Sequence, residues 1–275
     1  MKGGINLINT FNKSITEIIK IRHSVRTYEN TKLQDDLLEK IESYIKEIND
    51  SQGVFGEKIR VNLIKKHENN KETKVGTYGV IKGANYYLTA AYNKSENGLY
   101  DLGYLFEKLA LHRTDLGLGT VWLGGTFNKG DFATAVNLKD NESLPIVSPI
   151  GIESNKKTLI AKMFGVNTNR RKEFSTIFFK GDFNTPLTYE EAGEYGEVLE
   201  NVRLAPSAVN KQPWRIVKEG KNFHIYNEAK MEMNKIDIGI ALCHFELSAK
   251  EKGLAGEFKV LDDKSSDKYV ISWMG

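Results

Sequence analysis

Two arginines and a serine at alternate positions near the start of the chain could bind an anion. The segment "IRHSVRTYEN" carries Arg22, Ser24 and Arg26, and in an extended segment alternate side chains project to one side. Two guanidinium groups and a hydroxyl would then converge, and the planar arginine fork donates paired hydrogen bonds to phosphate. A solvated surface strand fits the same short run, so the spacing alone does not decide between the two interpretations.

A second polar segment, "APSAVNKQPW" at 205–214, offers Ser207, Asn210 and Gln212 between two prolines. Because proline disfavours helical geometry at the residue before it, the helix predicted over "YGEVLENVRL" should end near Ala205. The loop that follows presents small hydrogen-bonding side chains to a ligand, or it forms a surface turn, which its composition also fits.

An internal repeat predicts the elements that position these two segments. The stretch "DLGYLFEKLALHRTDLGLG" from Asp101 matches "DIGIALCHFELSAKEKGLAG" from Asp237, at an offset of 136 residues. Each stretch predicts an apolar helix that ends at a glycine, Gly117 or Gly253, and continues into a strand. Duplication of one α+β unit explains this match.

An earlier pair of segments supports the same duplication at an offset of 154 residues. "NTKLQDDLLEKI" from Asn30 and "NTPLTYEEAGEY" from Asn184 both place Asn-Thr-x-Leu before an acidic helix start. In the second copy, Thr188 and Glu191 have the spacing of a capping box. We therefore predict two α+β halves, residues 1–165 and 166–275.

The two halves differ where chemistry is expected. The segment "TIFFK" stands 154 residues after the arginine run and has no arginine. Conversely, "NDSQGVFGEK" in the first half lacks the Pro-Ser-x-x-Asn-x-Gln pattern of 206–212. One half thus retains an anion-binding run and the other a polar loop, which predicts a single composite site.

Composition narrows the class of protein. The 275 residues are 40% apolar and 27% charged with a net charge of +3, which is typical of a globular protein and indicates neither nucleic acid nor an anionic membrane as a partner. The single cysteine, Cys243, fits a reducing compartment. The N-terminal sequence lacks the continuous apolar core of a signal peptide. We expect a cytoplasmic location.

Other chemistries find little support in the sequence. The five histidines show no metal-ligand spacing with one another or with Cys243, so no metal site is expected. The glycines of "GLGTVWLGG" run from a helix into a strand, the reverse of a dinucleotide-binding fingerprint. No Gly-x-Ser-x-Gly elbow or Walker sequence occurs, and no catalytic side chain is predicted.

The chain resembles the nitroreductase family of FMN-dependent oxidoreductases, and within it the single-chain members that mimic the usual homodimer. The resemblance rests on "RHSVR", "LAPSAVNKQPW", "GLGTVWLGGTF" and "NRRKEF", which together span most of the sequence. It implies an α+β nitroreductase-like fold, of the NADH oxidase and flavin reductase type, in which two tandem degenerate halves form an intrachain pseudo-dimer.

The same resemblance implies the cofactor and its ligands. The FMN phosphate would be bound by Arg22, Ser24, Arg26, Arg171 and Lys172, with His23 beside the ring. The isoalloxazine would contact Pro206, Ser207, Ala208, Asn210 and Gln212. Gly124 and Gly125 match the strand end at the N5 edge of the ring, where family members often carry a glutamate that this chain lacks. One FMN per chain is expected.

The implied activity is hydride transfer from NAD(P)H through FMN to a small electron acceptor, such as a nitroaromatic or a quinone. We expect a monomer that acts as a pseudo-dimer. A flavin carrier or sensor without efficient turnover is the main alternative, because the acidic residue near N5 is missing. A third possibility is a protein that keeps the fold but binds no flavin. The retained arginine run and polar loop both argue against it.

Overall fold

The computed structural model describes residues 11–68, 71–155, 170–262, 264 and 266–275. The helices are α1 (Ile15–Ile21), α2 (Asp35–Asp50), α3 (Gly98–Asp115), α4 (Lys129–Ala135), α5 (Tyr189–Ala192), α6 (Gly196–Leu204) and α7 (Asn234–Glu251). The strands are β1 (Ile59–Lys65), β2 (His67–Glu68), β3 (Lys71–Glu72), β4 (Tyr86–Asn93), β5 (Gly119–Thr120), β6 (Glu142–Gly151), β7 (Phe178–Lys180), β8 (Trp214–Glu219), β9 (Asn222–Asn227), β10 (Glu257–Lys259) and β11 (Tyr269–Met274).

The described residues form two compact units. One unit contains residues 21–155, and the other contains residues 11–20 together with 170–275. Residues 11–20 therefore group with residues of the second half, whereas the sequence placed them in the first half. The expected boundary at 165/166 lies outside the described residues.

The sheet of the 21–155 unit has the strand order β1-β4-β6-β5, and its neighbouring strands are antiparallel. Helix α2 packs beside this sheet. Its buried residues Ile41, Tyr44, Ile45 and Ile48 recur at helical spacing and form one apolar face. Helix α3 is buried along almost its whole length, including charged residues such as Asp101, Glu107 and Arg113.

The other unit repeats this architecture. Its sheet has the order β10-β11-β9-β8-β7. Read from β8 to β10, the strands β8, β9, β11 and β10 are neighbours in the same order as β1, β4, β6 and β5 of the first sheet. Helix α7 begins 136 residues after α3 and has the same length of 18 residues. Likewise, the stretch from the start of α5 to the end of α6 covers 189–204, which is α2 shifted by 154.

Strand β7 departs from the alignment made on the sequence. It pairs parallel to β8, the counterpart of β1, whereas Ser24 pairs with Thr120 of β5, at the opposite edge of the repeated order. "TIFFK" and the arginine run are therefore not structural counterparts. The alignment failed because it relied on sequence spacing alone. Spacing does not specify which strand a short segment pairs with.

Several helices begin or end where local signals in the sequence predict. Helix α6 ends at Leu204, one residue before the position predicted from the proline. The Thr188–Glu191 capping box is present, with both hydrogen bonds formed. Gly117 and Gly253 follow α3 and α7 with φ of 77° and 70°, the left-handed conformation that glycine adopts most easily. No helix among the described residues is both long and apolar enough to cross a membrane.

Helix α1 is fixed to the unit that contains residues 170–275. The backbone N–H of Ile15 donates to Oε1 of Glu251 at 2.6 Å. The Thr16 hydroxyl donates to Glu197 at 2.8 Å and accepts from Nδ2 of Asn201 at 2.8 Å. Since Ile15, Ile18 and Ile19 are also buried, α1 is an integral part of this unit.

Candidate functional site

The arginine run forms an extended segment against β5 and the loop before β4. Val25 donates its backbone N–H to the Thr120 carbonyl at 3.0 Å, and Tyr28 donates to the Lys82 carbonyl at 2.8 Å. The Tyr28 hydroxyl donates to the Val25 carbonyl at 2.7 Å. Gly83 permits this arrangement, because a Cβ there would lie 2.0 Å from the Tyr28 carbonyl oxygen.

The extended geometry separates the segment into an inner and an outer row. Val25 and Thr27 are buried, whereas Arg22, Ser24 and Arg26 are half-buried, which is the alternation predicted from their spacing. Within the described residues the Arg22 guanidinium and the Ser24 hydroxyl make no hydrogen bond. An anion could therefore form an ion pair with Arg22 and accept a hydrogen bond from Ser24.

Burial changes the electrostatics of both arginines. Desolvation lowers the pKa of Arg22, and the nearby Glu107 carboxylate opposes that shift by raising it. Desolvation also lowers the pKa of Arg26, against a smaller opposing effect of Tyr28. A cation removed from water gains more from an anionic partner than a solvated one does.

His23 lies on the exposed side of the same segment. Its Nε2 is 2.7 Å from Oε2 of Glu153 and its Nδ1 is 3.0 Å from the Ile21 carbonyl. These two contacts fix the plane of the ring. The expected position beside a flavin ring stays a prediction.

Gly124 and Gly125 follow the residue at which the chain leaves the sheet. Leu123 exchanges two backbone hydrogen bonds with Val147 of β6, at 2.9 and 3.1 Å. Both glycines are exposed and neither has a positive φ, so a left-handed turn does not explain them. A Cβ on Gly125 would meet no atom within 4 Å. The backbone N–H groups of this pair donate no hydrogen bond within the described residues.

The 205–212 loop has an unusual backbone. Val209, Asn210 and Gln212 have φ of 45°, 56° and 46°, in the left-handed region that non-glycine residues occupy at a cost. The Ser207 hydroxyl accepts from the Gln212 backbone N–H at 2.9 Å, and Asp237 of α7 accepts from the Ala208 N–H at 2.9 Å. Side chains therefore supply the hydrogen bonds that regular backbone pairing cannot supply here.

The structure brings the expected basic pair against this loop. Arg171 donates from Nη1 to Oδ1 of Asn210 at 2.6 Å and from Nη2 to the Leu204 carbonyl at 3.0 Å. Lys172 donates its backbone N–H to Oε1 of Gln212 at 2.7 Å and its ammonium to the Gln212 carbonyl at 3.2 Å. Burial and the nearby Arg215 lower the pKa of Lys172.

Asn210 and Gln212 thus bind the chain itself. Gln212 is fully buried, and its Nε2 donates to the Arg203 carbonyl at 2.9 Å. Asn210 donates from Nδ2 to the Arg170 carbonyl at 2.6 Å. The polar side chains therefore specify the shape of the loop, whereas its exposed residues are Ala208, Val209 and Lys211.

Sequence reasoning missed two buried aspartates that hold equivalent loops. Asp237 accepts from Ala208 in the loop before β8, and Asp101 accepts from Phe55 and Glu57 in the loop before β1, at 2.8–3.1 Å. Gly53 is required there, since a Cβ would lie 2.2 Å from the Asp101 carboxyl carbon. The repeated Asp-aliphatic-Gly at the start of each helix was the signal for this role.

We expect Asp101 to make stability depend on pH. Burial raises its pKa from 3.8 to about 6, although the hydrogen bonds from Phe55 and Glu57 oppose the shift. The folded state therefore binds a proton more tightly than the unfolded state does, and stability falls as pH rises from about 4 to about 6. The rise in pKa of about two units corresponds to about 3 kcal/mol of unfolding free energy.

Equilibrium unfolding of the wild type and Asp101→Asn between pH 3 and 8 measures this effect. Between pH 4 and pH 6, the free energy of unfolding of the wild type should fall by about 3 kcal/mol relative to that of the variant. Above pH 6 the difference should stay constant. Asp237→Asn should show a difference of the same sign, because burial also raises the pKa of Asp237. A difference between wild type and Asp101→Asn that is constant with pH would contradict the prediction.

Val209 stores strain at the exposed tip of the loop. It is β-branched, 86% exposed and left-handed, a combination that costs roughly 1–2 kcal/mol. Asparagine tolerates this conformation, so Val209→Asn should raise the free energy of unfolding by about 1 kcal/mol. Val260, which is 58% exposed and has no positive φ, provides the control. Equal effects of Val209→Asn and Val260→Asn in chemical denaturation would remove strain as the explanation.

The described residues contain no group of three or more histidine, cysteine, aspartate or glutamate side chains placed to bind a metal ion. The half-buried arginine run and the basic pair Arg171 and Lys172 against the 205–212 loop concentrate positive charge. Basic side chains of this kind suit an anionic ligand better than a cation.

Comparison with known proteins gives the family. The model of the family described as "Putative TM nitroreductase" matches residues 14–249. No curated protein matches the chain. The crystal structure of a "putative nitroreductase" from Thermotoga maritima MSB8 is 21% identical, with a TM-score of 0.63 over 95% of this chain and 93% of that chain.

Two further solved structures are similar over part of the chain. A nitroreductase family protein from Clostridium difficile 630 is 21% identical, with a TM-score of 0.42 over 55% of this chain and 91% of that one. A nitroreductase with bound FMN from Desulfitobacterium hafniense DCB-2 is 18% identical, with a TM-score of 0.40 over 53% and 92%. The match to the Thermotoga structure over nearly both chains confirms the predicted α+β nitroreductase-like fold. The family match over most of the sequence shows that this chain belongs to the nitroreductase family described as "Putative TM nitroreductase".

Proposed function

We propose that the chain is an FMN-dependent oxidoreductase that uses NAD(P)H to reduce small acceptors such as nitroaromatics or quinones. The observation that carries the proposal is the extended 22–28 segment, where the half-buried Arg22 guanidinium and the Ser24 hydroxyl make no hydrogen bond within the described residues. A phosphate monoester fits this segment, because its oxygens accept charge-assisted hydrogen bonds and neutralise desolvated cations. Family membership makes a flavin phosphate the favoured anion.

Residues in each unit have a role in binding the flavin. In residues 21–155, Arg22, Ser24 and Arg26 bind the phosphate, His23 lies at the ring, and Gly124 and Gly125 offer a backbone N–H to N5 without a side chain that would obstruct a flat ring. In the other unit, Arg171 and Lys172 add positive charge. Pro206, Ser207 and Ala208 contact the ring, and Asn210 borders it while its side chain, like that of the buried Gln212, holds the loop in shape.

Bound FMN would supply the redox chemistry, accepting hydride from the reductant and passing electrons to the acceptor. The side chains bind and orient, and the positive charges stabilise developing negative charge. The proposed active form is a single chain that acts as a pseudo-dimer and binds one FMN. A lone buried thiol, Cys243, supports the proposal of a cytoplasmic location.

Flavin content and turnover test the proposal. The absorbance of purified protein, before and after heat release of cofactor, gives the flavin per chain, and one FMN per chain is expected. Steady-state oxidation of NADH and NADPH with a panel of nitroaromatics and quinones then tests the activity. Bound FMN without turnover would favour a carrier or sensor, and no binding in excess FMN would contradict the proposal.

A further inference from the structure

A buried arginine lies behind the arginine run. Arg113, near the end of α3, is fully buried, and its Nη2 donates to the Thr120 hydroxyl at 3.0 Å. Its Nε and Nη1 have no hydrogen-bond partner among the described residues. A fully buried arginine with a single hydrogen bond is costly, so its presence calls for a compensating role.

The contacts of Arg113 lead directly to the segment that carries the arginine run. Thr120 pairs with Ser24, and its carbonyl accepts the Val25 N–H at 3.0 Å. The Thr120 hydroxyl also contacts the Ser148 hydroxyl of β6 at 2.8 Å. Arg113 thus anchors the side chain of the residue whose backbone positions Ser24 and Val25.

The same group of residues includes further charges. The Cζ of Arg113 lies 5.5 Å from the Phe106 ring centroid, and the buried Glu107 accepts from the Trp122 indole at 3.0 Å. Burial lowers the pKa of Arg113 to about 10, while Tyr28 and Glu107 act to raise it. Glu107 also acts on Arg22, and Tyr28 on Arg26, so the buried and half-buried charges form one electrostatic group.

The repeat shows that this group is confined to one half. At the 136-residue offset, Glu107 corresponds to Cys243 and Arg113 to Ala249, and both replacements are buried without charge. The structural frame of the two halves is the same, so it does not require a buried arginine. The arginine occurs in the half that has Arg22, Ser24 and Arg26.

We propose that Arg113 is a positioning residue for the anion site of the 22–26 segment, which it supports through Thr120 while adding a fixed positive charge behind it. The inference rests on the proposed function, since FMN phosphate is the anion. A charge in a poorly solvated interior acts over longer distances than one in water. Arg113 therefore favours the phosphate without touching it.

Binding of FMN and of riboflavin, which lacks the phosphate, separates this role from a purely structural one. Arg113→Met should weaken FMN binding at least about tenfold and leave riboflavin binding unchanged, and Arg113→Lys should restore most of the FMN affinity. Lys108→Met is the matched control. Lys108 is a buried cation of the same helix, but its ammonium bonds Tyr104 at 2.8 Å, so its removal should change neither affinity.

Thr120→Val provides a second variant that does not depend on the folding of Arg113→Met. It removes the hydroxyl acceptor and should also lower the ratio of FMN to riboflavin affinity. Unchanged FMN binding by Arg113→Met or Thr120→Val, or equal losses for FMN and riboflavin, would overturn the inference while leaving the proposed function intact. Failure of the wild type to bind FMN would overturn both, and is seen before any variant is made.

Discussion

Replacing both Arg22 and Arg26 by alanine is expected to weaken FMN binding by about 3–6 kcal/mol, because each charge-assisted contact to phosphate contributes about 1.5–3 kcal/mol. The two side chains project to the same side of an extended segment, where burial lowers both pKa values. Their charge is therefore poorly solvated before the phosphate arrives. Loss of FMN fluorescence quenching on titration measures the affinity of the double variant.

Thr176→Ala with Lys180→Ala is the control for this experiment, a second double alanine variant outside the proposed phosphate site. Lys180 forms an exposed ion pair with Glu191 at 3.3 Å, and the Thr176 hydroxyl donates to the Glu173 carbonyl. FMN binding should not change, and stability should change by less than about 1 kcal/mol. If the two double variants bind FMN equally well, the phosphate is bound elsewhere.

Trp214→Ala is expected to lower the free energy of unfolding by about 3–5 kcal/mol, the usual cost of removing a large aromatic side chain from a core. Trp214 is fully buried at the start of β8, where the 205–212 loop enters the sheet. Its indole N–H has no hydrogen-bond partner among the described residues. Trp214→Phe should therefore cost much less, since it removes an unsatisfied donor together with part of the ring.

Trp273 gives the comparison that isolates the indole N–H. It is equally buried, but its Nε1 donates to the Tyr195 hydroxyl at 3.3 Å. Trp273→Phe should cost more than Trp214→Phe, by roughly the 0.5–1.5 kcal/mol of one hydrogen bond. Denaturant unfolding followed by circular dichroism tests both pairs. A larger loss for Trp214→Phe than for Trp273→Phe would mean that the shape of Trp214 matters more than its unpaired donor.

The sequence predicted the fold well because its signals were local and occurred twice. The Thr188–Glu191 box, the glycines after α3 and α7 and the proline after α6 all act within a few residues of one another, and the structure shows each helix end where they indicate. The repeat then fixed which helices correspond. Periodicity and capping suffice for such features, since they depend little on distant residues.

The pairing of β7 and the grouping of α1 could not be predicted in this way. Both depend on contacts between residues far apart in sequence, such as Thr16 with Glu197 and Asn201. Polar side chains in the 205–212 loop gave a similar difficulty, because composition does not show whether Asn210 and Gln212 face a ligand or the chain. The role of Arg113 was missed because a charged residue in an apolar helix is assigned to the surface by default.

The grouping of α1 also affects the order in which the protein forms during synthesis. Residues 21–155 are continuous, so their sheet has all of its described strands as soon as they leave the ribosome. Helix α1 is made earlier, but its partners Glu197, Asn201 and Glu251 are among later products of translation. Until then Ile15, Ile18 and Ile19 lack the surface that buries them, so α1 is synthesised before residues 21–155 but reaches its native contacts after them.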